Sequence, residues 1–358
     1  MHVERASEDI YIFTSERYAQ VTASLIVSGN TGVLIDTMPF PEETAQIALL
    51  AHRRCPDGVR YIIYTQHEAD HVYGAYLFPK AQIIAHSAAR EALIQNAYKS
   101  LEQAKASSRE FEHVKIKLPT FSFNSGTFTL RLPGKTLEIF PTPGHTPDSV
   151  AVLLHEERLL FAGDTVMAVP TVASGDVQQL KESLTKIAAM QLESIVQGHG
   201  EIILRGEIKE VMRRSISYLD NLQAKVQKLV DEGGTREAAK AITIESCGLQ
   251  RVLLNGVVGP LHIANVLALY DKLKGPVPAV AEAKPHEPKL KTAPFTPATP
   301  AKPAKAEKAA PKKPAAIPVP VAKPTPKPVS KPAPKSASKP IVKKAAPQPT
   351  KKASAKRR

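Results

Sequence analysis

Cysteine is scarce, with two in 358 residues, and Cys55 and Cys247 stand too far apart in sequence to suggest a disulfide framework. No run of about 18 apolar residues is present to form a bilayer-spanning helix. The opening segment 1–10 carries His2, Glu4, Arg5, Glu8 and Asp9, and lacks the apolar stretch of a secretory signal. These three lacks together lead us to expect a cytoplasmic chain in a reducing compartment. Aromatic residues make up 5% of the chain, and beyond residue 275 there is only Phe295.

What is present is unevenly spread. Of the 48 Lys and Arg, 20 fall in 276–358, together with 3 of the 34 acidic residues and 20 of the 31 prolines. Residues 1–275 are therefore slightly acidic, and the alkaline character belongs to the segment that follows. Repeats such as Lys323-Pro324-Thr325-Pro326-Lys327-Pro328 remove backbone donors, repel one another and offer almost nothing large and apolar to bury. We expect 276–358 to be a disordered, extended basic tail. Two roles stay open for it. One is a solubilising tether, and the other is an electrostatic grip on nucleic acid or another polyanion through phosphate contacts. The lack of interleaved aromatics argues against reading of base sequence.

The first 275 residues have the apolar content of a buried core, the whole chain being 43% hydrophobic. β-branched clusters between turn signals predict strands over 10–13, 20–27 and 32–36, then a helix over 41–53 that begins with Pro, and a strand over 61–64. A strand over 82–85 and one long helix over 87–105 follow, with Ser87 as its cap. The second half predicts strands over 127–132, 136–140, 149–154 and 158–161, a helix over 177–190 and a strand over 193–196. Helical spacing of apolar residues then marks 205–232, with two shorter helices over 236–244 and 261–273.

Four short motifs lie where such strands end: Gln66-His67-Glu68-Ala69-Asp70-His71, Pro143-Gly144-His145-Thr146-Pro147-Asp148, Gly163-Asp164-Thr165, and Gln197-Gly198-His199-Gly200. Imidazoles and carboxylates at strand ends suit metal binding, because the sheet fixes each loop tightly enough to set a coordination geometry. In this order the motifs resemble those of the metallo-β-lactamase superfamily, whose first loop reads His-x-His-x-Asp-His. Gln66 and Glu68 stand where that pattern has its first and second histidines.

The resemblance implies an α+β fold, a four-layer αββα sandwich over 1–275, with 205–275 as a helical C-terminal part that shapes the substrate mouth. Carried over position by position, it implies a first metal site of Gln66, Glu68 and His145 and a second of Asp70, His71 and His199, with Asp164 bridging. The second set suits Zn or Fe. The oxygen donors of the first shift it towards Fe or Mn, or towards being empty. His67 is expected to point away from the metals, Asp148 to order the His145 loop, and His86 and His262 to be hydrogen-bonded packing or mouth residues.

Three functions follow from the resemblance. The leading one is a metal-dependent hydrolase, in which a water ionised at the metal and oriented by Asp70 attacks an ester, thioester, lactone or amide-like bond of a small molecule. The second is a diiron oxidoreductase, since flavodiiron proteins carry Glu at the second position, although 276–358 supplies no flavin domain. The third is a degenerate binding protein tethered by its basic tail.

Overall fold

Residues 22–28 and 31–35 are almost wholly buried on both faces, which their Val, Ile and Leu content allows, and this makes them the middle of a sheet rather than its surface. The computed structural model describes residues 1–250, 254 and 256–275. The expected disorder of 276–358 lies outside the described residues.

A seven-stranded sheet runs in chain order through β1 (His2–Ser7), β2 (Ile10–Thr14), β3 (Thr22–Ser28), β4 (Thr31–Ile35), β5 (Val59–Ile63), β6 (Gln82–His86) and β7 (Phe121–Phe123). Its first four strands pair antiparallel and its last three joins are parallel. A six-stranded sheet contains β8 (Phe128–Leu132), β9 (Lys135–Pro141), β10 (Val150–Leu154), β11 (Leu159–Gly163), β12 (Ser194–Gln197) and β13 (Ile203–Leu204) in reverse order, with only β11 and β12 parallel. Each parallel join needs a long crossover. The helix α1 (Pro41–Arg54) provides the one between β4 and β5. The short α2 (Ala69–Val72) lies between β5 and β6, and α3 (Ser87–Ala92) and α4 (Tyr98–Ser107) between β6 and β7. Between β11 and β12 runs α5 (Val177–Ala188), and the chain ends its described course in α6 (Arg205–Asp231), α7 (Arg236–Ala239) and α8 (Val258–Lys274).

Three apolar cores show how these elements stack. Ile12, Ile26, Val33, Ile63 and Ile84 meet Ile139, Val152 and Phe161 in a layer built only from the two sheets. On the next positions along the same strands, Leu25, Leu34, Ile62 and Ile83 pack with Ile47 of α1 and Leu93, so helices cover that outer face. Leu160 and Ile195 pack likewise with Leu180 of α5, Met212 and Leu222 of α6 and Val266 of α8. The period-two alternation of each strand thus feeds one core inward and one outward, which gives the four-layer αββα sandwich. Among the described residues, no helix is long and apolar enough to cross a membrane.

Differences from expectation are local. The segment 87–105 is helical throughout as expected and runs on to Ser107, but it widens into a π-helical stretch at Leu93–Ala97 between α3 and α4, and the His86 ring, not Ser87, accepts the Ala88 N–H at the helix start. The helix expected over 236–244 stops at Ala239, and turns lead to a single tight turn at Glu245–Cys247. Strands β1, β7 and β13 escape sequence reading because they are short or polar and exposed at sheet edges.

Ile84 is fully buried between the sheets. Ile84→Ala is expected to cost about 2–5 kcal/mol. Leu49→Ala, on a side chain 53% exposed, should change stability by less than about 0.5 kcal/mol. Urea unfolding of the two variants checks the difference.

Candidate metal centre

Asp36 follows β4 in a left-handed conformation, φ +56°, which is uncommon for a residue with a side chain. That turn throws its carboxylate across to the exit of the adjacent strand β5. There Oδ1 accepts from the Thr65 N–H at 2.7 Å, and Oδ2 accepts from Thr65 Oγ1 at 2.6 Å and from His71 Nδ1 at 2.9 Å. With Nδ1 committed as donor, His71 presents the bare Nε2 to the interior. The Thr37 hydroxyl donates to the His71 carbonyl at 2.9 Å and fixes the same turn from below. Sequence reading ends a strand at Asp36 and gives it no role. A lone acid closing an apolar strand is the available signal.

The other imidazoles are held in the same way. His145 Nδ1 donates to the Thr171 carbonyl at 2.9 Å, and His199 Nδ1 to the Ala19 carbonyl at 3.0 Å. The His145 loop is pinned by glycine: Gly144 has φ +138°, and a Cβ there would lie 2.3 Å from the Leu180 backbone of α5. Gly198 permits a still closer approach, since its Cβ would come 1.8 Å from Asp164 Oδ1. His199 also forms a β-bridge with Val21, so a loop of one sheet is stitched to the strand entry of the other at the centre itself.

These constraints bring the sequence-predicted residues together. Glu68, His145 and Asp164 form one trio of ligand atoms within 4.8 Å of one another, and Asp70, His71 and His199 form another. Asp164 lies between them, with Oδ2 3.3 Å from His145 Nε2 and 3.4 Å from His71 Nε2, and Oδ1 3.5 Å from His199 Nε2. Gln66 enters as a donor: its Nε2 reaches Asp164 Oδ2 at 2.7 Å, while its amide oxygen is buried without a partner. His67 turns aside, with Nδ1 2.8 Å from Asp148 Oδ1. His86 contacts the Asn124 carbonyl, and His262 the Tyr218 hydroxyl and the Ile242 carbonyl.

The donor set fits a divalent cation. His71 Nε2 and Asp164 Oδ1 are both buried without a hydrogen-bond partner, a costly state that a bound cation would remove. The electrostatics point the same way. Burial pulls the His145 imidazole down, but the Glu68 hydrogen bond and the Asp164 charge outweigh it and hold its pKa at about 9. For His199 burial is likewise overridden, chiefly by Asp164, and the pKa stands at about 10. Burial opposes ionisation of Asp164, yet His199 and His71 hold its carboxyl well below the usual range. The centre demands positive charge, from protons or from a metal.

A cavity of about 210 Å³ opens over the two trios, with Tyr18 at its rim and Ala19, Met167, Ala173, Val257, Leu261 and Ala264 in its wall. Asp70 and burial together push the Tyr18 phenol up to about 12, so it stays neutral. A larger groove, lined by His2, Glu16 and Leu204, contains none of these ligands.

A four-layer αββα sandwich whose candidate ligands all sit in the segments just after β5, β9, β11 and β12, with Asp70 and His71 on the short α2, defines a class of metal-binding fold. Residues 17–226 match the family model of the metallo-beta-lactamase superfamily, and the chain belongs to that superfamily. It is 27% identical to an atrochrysone carboxyl ACP thioesterase of Aspergillus fumigatus over 40% of this chain and 41% of that protein. It is also 27% identical to the thioesterase pkgB of Emericella nidulans over 54% of this chain and 49% of that one. The chain thus spans about half the length or less of these relatives. A metallo-beta-lactamase family protein of Thermus thermophilus shares the fold, with a TM-score of 0.57 at 18% identity over 75% of this chain and 94% of that structure.

In the chain stripped of metal, His145 and His199 titrate above the value of about 6.5 expected when unfolded. Their contribution to stability is complete below about pH 6.5 and is lost as pH rises through about 9 and 10. Urea melts in chelator should therefore show stability falling between neutrality and pH 10. Metal uptake should strengthen over the same window, with proton release. A flat profile would contradict the protonated centre.

Proposed function

We propose that the protein is a metal-dependent hydrolase that cleaves thioesters or related esters carrying an uncharged, apolar acyl group. The observation that carries this reading is the pairing of two ligand trios, joined at Asp164, with a cavity whose wall beyond the ligands is mostly apolar, with Thr171 and Ser174 as its small polar members, and, among the described residues, contains no Lys or Arg. Away from the ligand trios the cavity offers no Lys or Arg among the described residues, so an acyl group that itself carries a negative charge would find no side chain to pair with. The thioesterase names of two relatives support the same bond class.

Asp70, His71 and His199 would hold one divalent cation, zinc or iron, and Glu68, His145 and Asp164 a second. A cation so held lowers the pKa of water towards neutrality and polarises a carbonyl. The chain's own residues supply the rest. Asp70, whose Oδ2 lies 3.3 Å from His199 Nε2, would orient the attacking water. Tyr18, kept neutral, is a donor for the carbonyl oxygen or for the departing group. Ala173, Leu261 and Ala264 shed water around the acyl chain.

Gln66 makes the first site the weaker one in this reading. A neutral amide takes the place of an imidazole and, with Nε2 on Asp164, spends its donor on the bridging acid. For Gln66 to serve as a ligand, its amide would have to turn so that the buried oxygen faces the cation. Gln66→His is expected to raise first-site zinc affinity by about 10-fold or more, measured by competition with a chromophoric chelator. No gain would argue that the site is closed for another reason.

His71→Ala should abolish hydrolysis of short acyl thioesters and remove the second-site cation, as followed by thiol release and metal analysis. A panel of acyl thioesters, lactones, a β-lactam and an alkyl sulfate, run on the wild-type chain, selects the substrate class. Turnover of the sulfate with inert thioesters would overturn the assignment.

A further inference from the structure

Asn265 lies on α8, well beyond the residues that match the family model, and is completely buried. Its side chain is not spent on its own helix. Oδ1 accepts from the Val172 N–H at 2.8 Å, and Nδ2 donates to the Pro170 carbonyl at 2.8 Å and to the Tyr218 hydroxyl at 3.2 Å. An amide that takes both the N–H and the C=O flanking one residue behaves as a short strand would, and it fixes the two peptide planes on either side of that residue. The residue so enclosed is Thr171, whose carbonyl receives the His145 Nδ1–H.

The support continues behind Asn265. Tyr218 of α6 lies 2.9 Å from His262 Nδ1, and the other ring nitrogen of His262 reaches the Ile242 carbonyl at 2.8 Å. All three side chains are buried, so each contact sits where an unmade hydrogen bond is costly. The network runs from the carbonyl of the half-buried Ile242 to the backbone at 170–172, and the next group beyond Thr171 is the candidate metal ligand His145.

We propose that Asn265 is a positioning residue for the first metal centre: by clamping 170–172 it fixes the Thr171 carbonyl and so aims His145 Nε2 between Glu68 and Asp164. The inference rests on the reading of that trio as a cation site. The C-terminal helices then belong to the centre's supporting shell as well as to the cavity wall, where α8 already contributes Leu261 and Ala264.

Asn265→Asp tests this, since Asp keeps the shape and the acceptor for Val172 but cannot donate to Pro170. Uptake of Co²⁺ by the metal-stripped full chain is titrated, with His145→Ala marking the step that belongs to the first centre. The variant should weaken that step by about 10- to 100-fold and leave the other unchanged. If Asn265→Asp does not fold by circular dichroism, Asn265→Ser, too short to hold either backbone group, should weaken the same step at least as much. A lowered melting temperature with both uptake steps intact would reduce Asn265 to a packing role and overturn the proposal. A wild-type chain that takes up one ion, insensitive to His145→Ala, would overturn it too. A wild-type chain that takes up none would instead overturn the metal reading itself.

Discussion

The structure turns on the burial of Asp164 among groups that cannot leave it uncompensated. Its two oxygens face His71, His145 and His199 while Gln66 donates to one of them, and Asp70, Glu68 and Asp36 add further negative charge nearby. A carboxylate cluster of this density in a low-dielectric interior is stable only with matching positive charge. The fold meets that demand by committing the outer nitrogen of each imidazole to an acceptor, a carboxylate for His71 and backbone carbonyls for the other two. Every inner nitrogen is thereby turned to the same small volume.

The two sheets serve this arrangement in different ways. The larger one supplies Asp36, Gln66, Glu68, Asp70 and His71 from two neighbouring parallel strands, so the ladder between β4 and β5 fixes their spacing. The smaller supplies His145, Asp164 and His199 from three strands, and glycine at 144, 163 and 198 lets the intervening loops approach where any side chain would collide. The order of the layers, helix outside and sheet against sheet, leaves these loops at the rim, where a cavity can form.

Much of this was legible in the sequence because the information is local. Each ligand motif follows an apolar strand run, and the strands of 22–35, 59–63 and 159–163 declare themselves by composition. What escaped is long-range. Asp36 acts on residues about thirty positions away, and Asn265 on a loop about ninety positions earlier, and no spacing rule connects them. The π-helical stretch at Leu93–Ala97 is invisible for another reason, since the helical pattern of 87–105 is continuous in residue type. The orientation of the Gln66 amide depends on which neighbour wins its donor, a question of geometry alone. The superfamily fold was therefore readable from the motifs, whereas the groups that hold the candidate ligands in place were not.

The turn joining β2 to β3 carries two duties on one short piece of backbone. Ala19 and Gln20 both adopt left-handed conformations, φ +47° and +51°, and the Ala19 carbonyl receives the His199 Nδ1–H while Tyr18 leans over the cavity. Lengthening or shortening this turn would shift a ligand along with the rim. An exchange of side chain at position 18, by contrast, reshapes the rim while leaving in place the main chain that holds His199, so the opening can be altered without disturbing the centre beneath it.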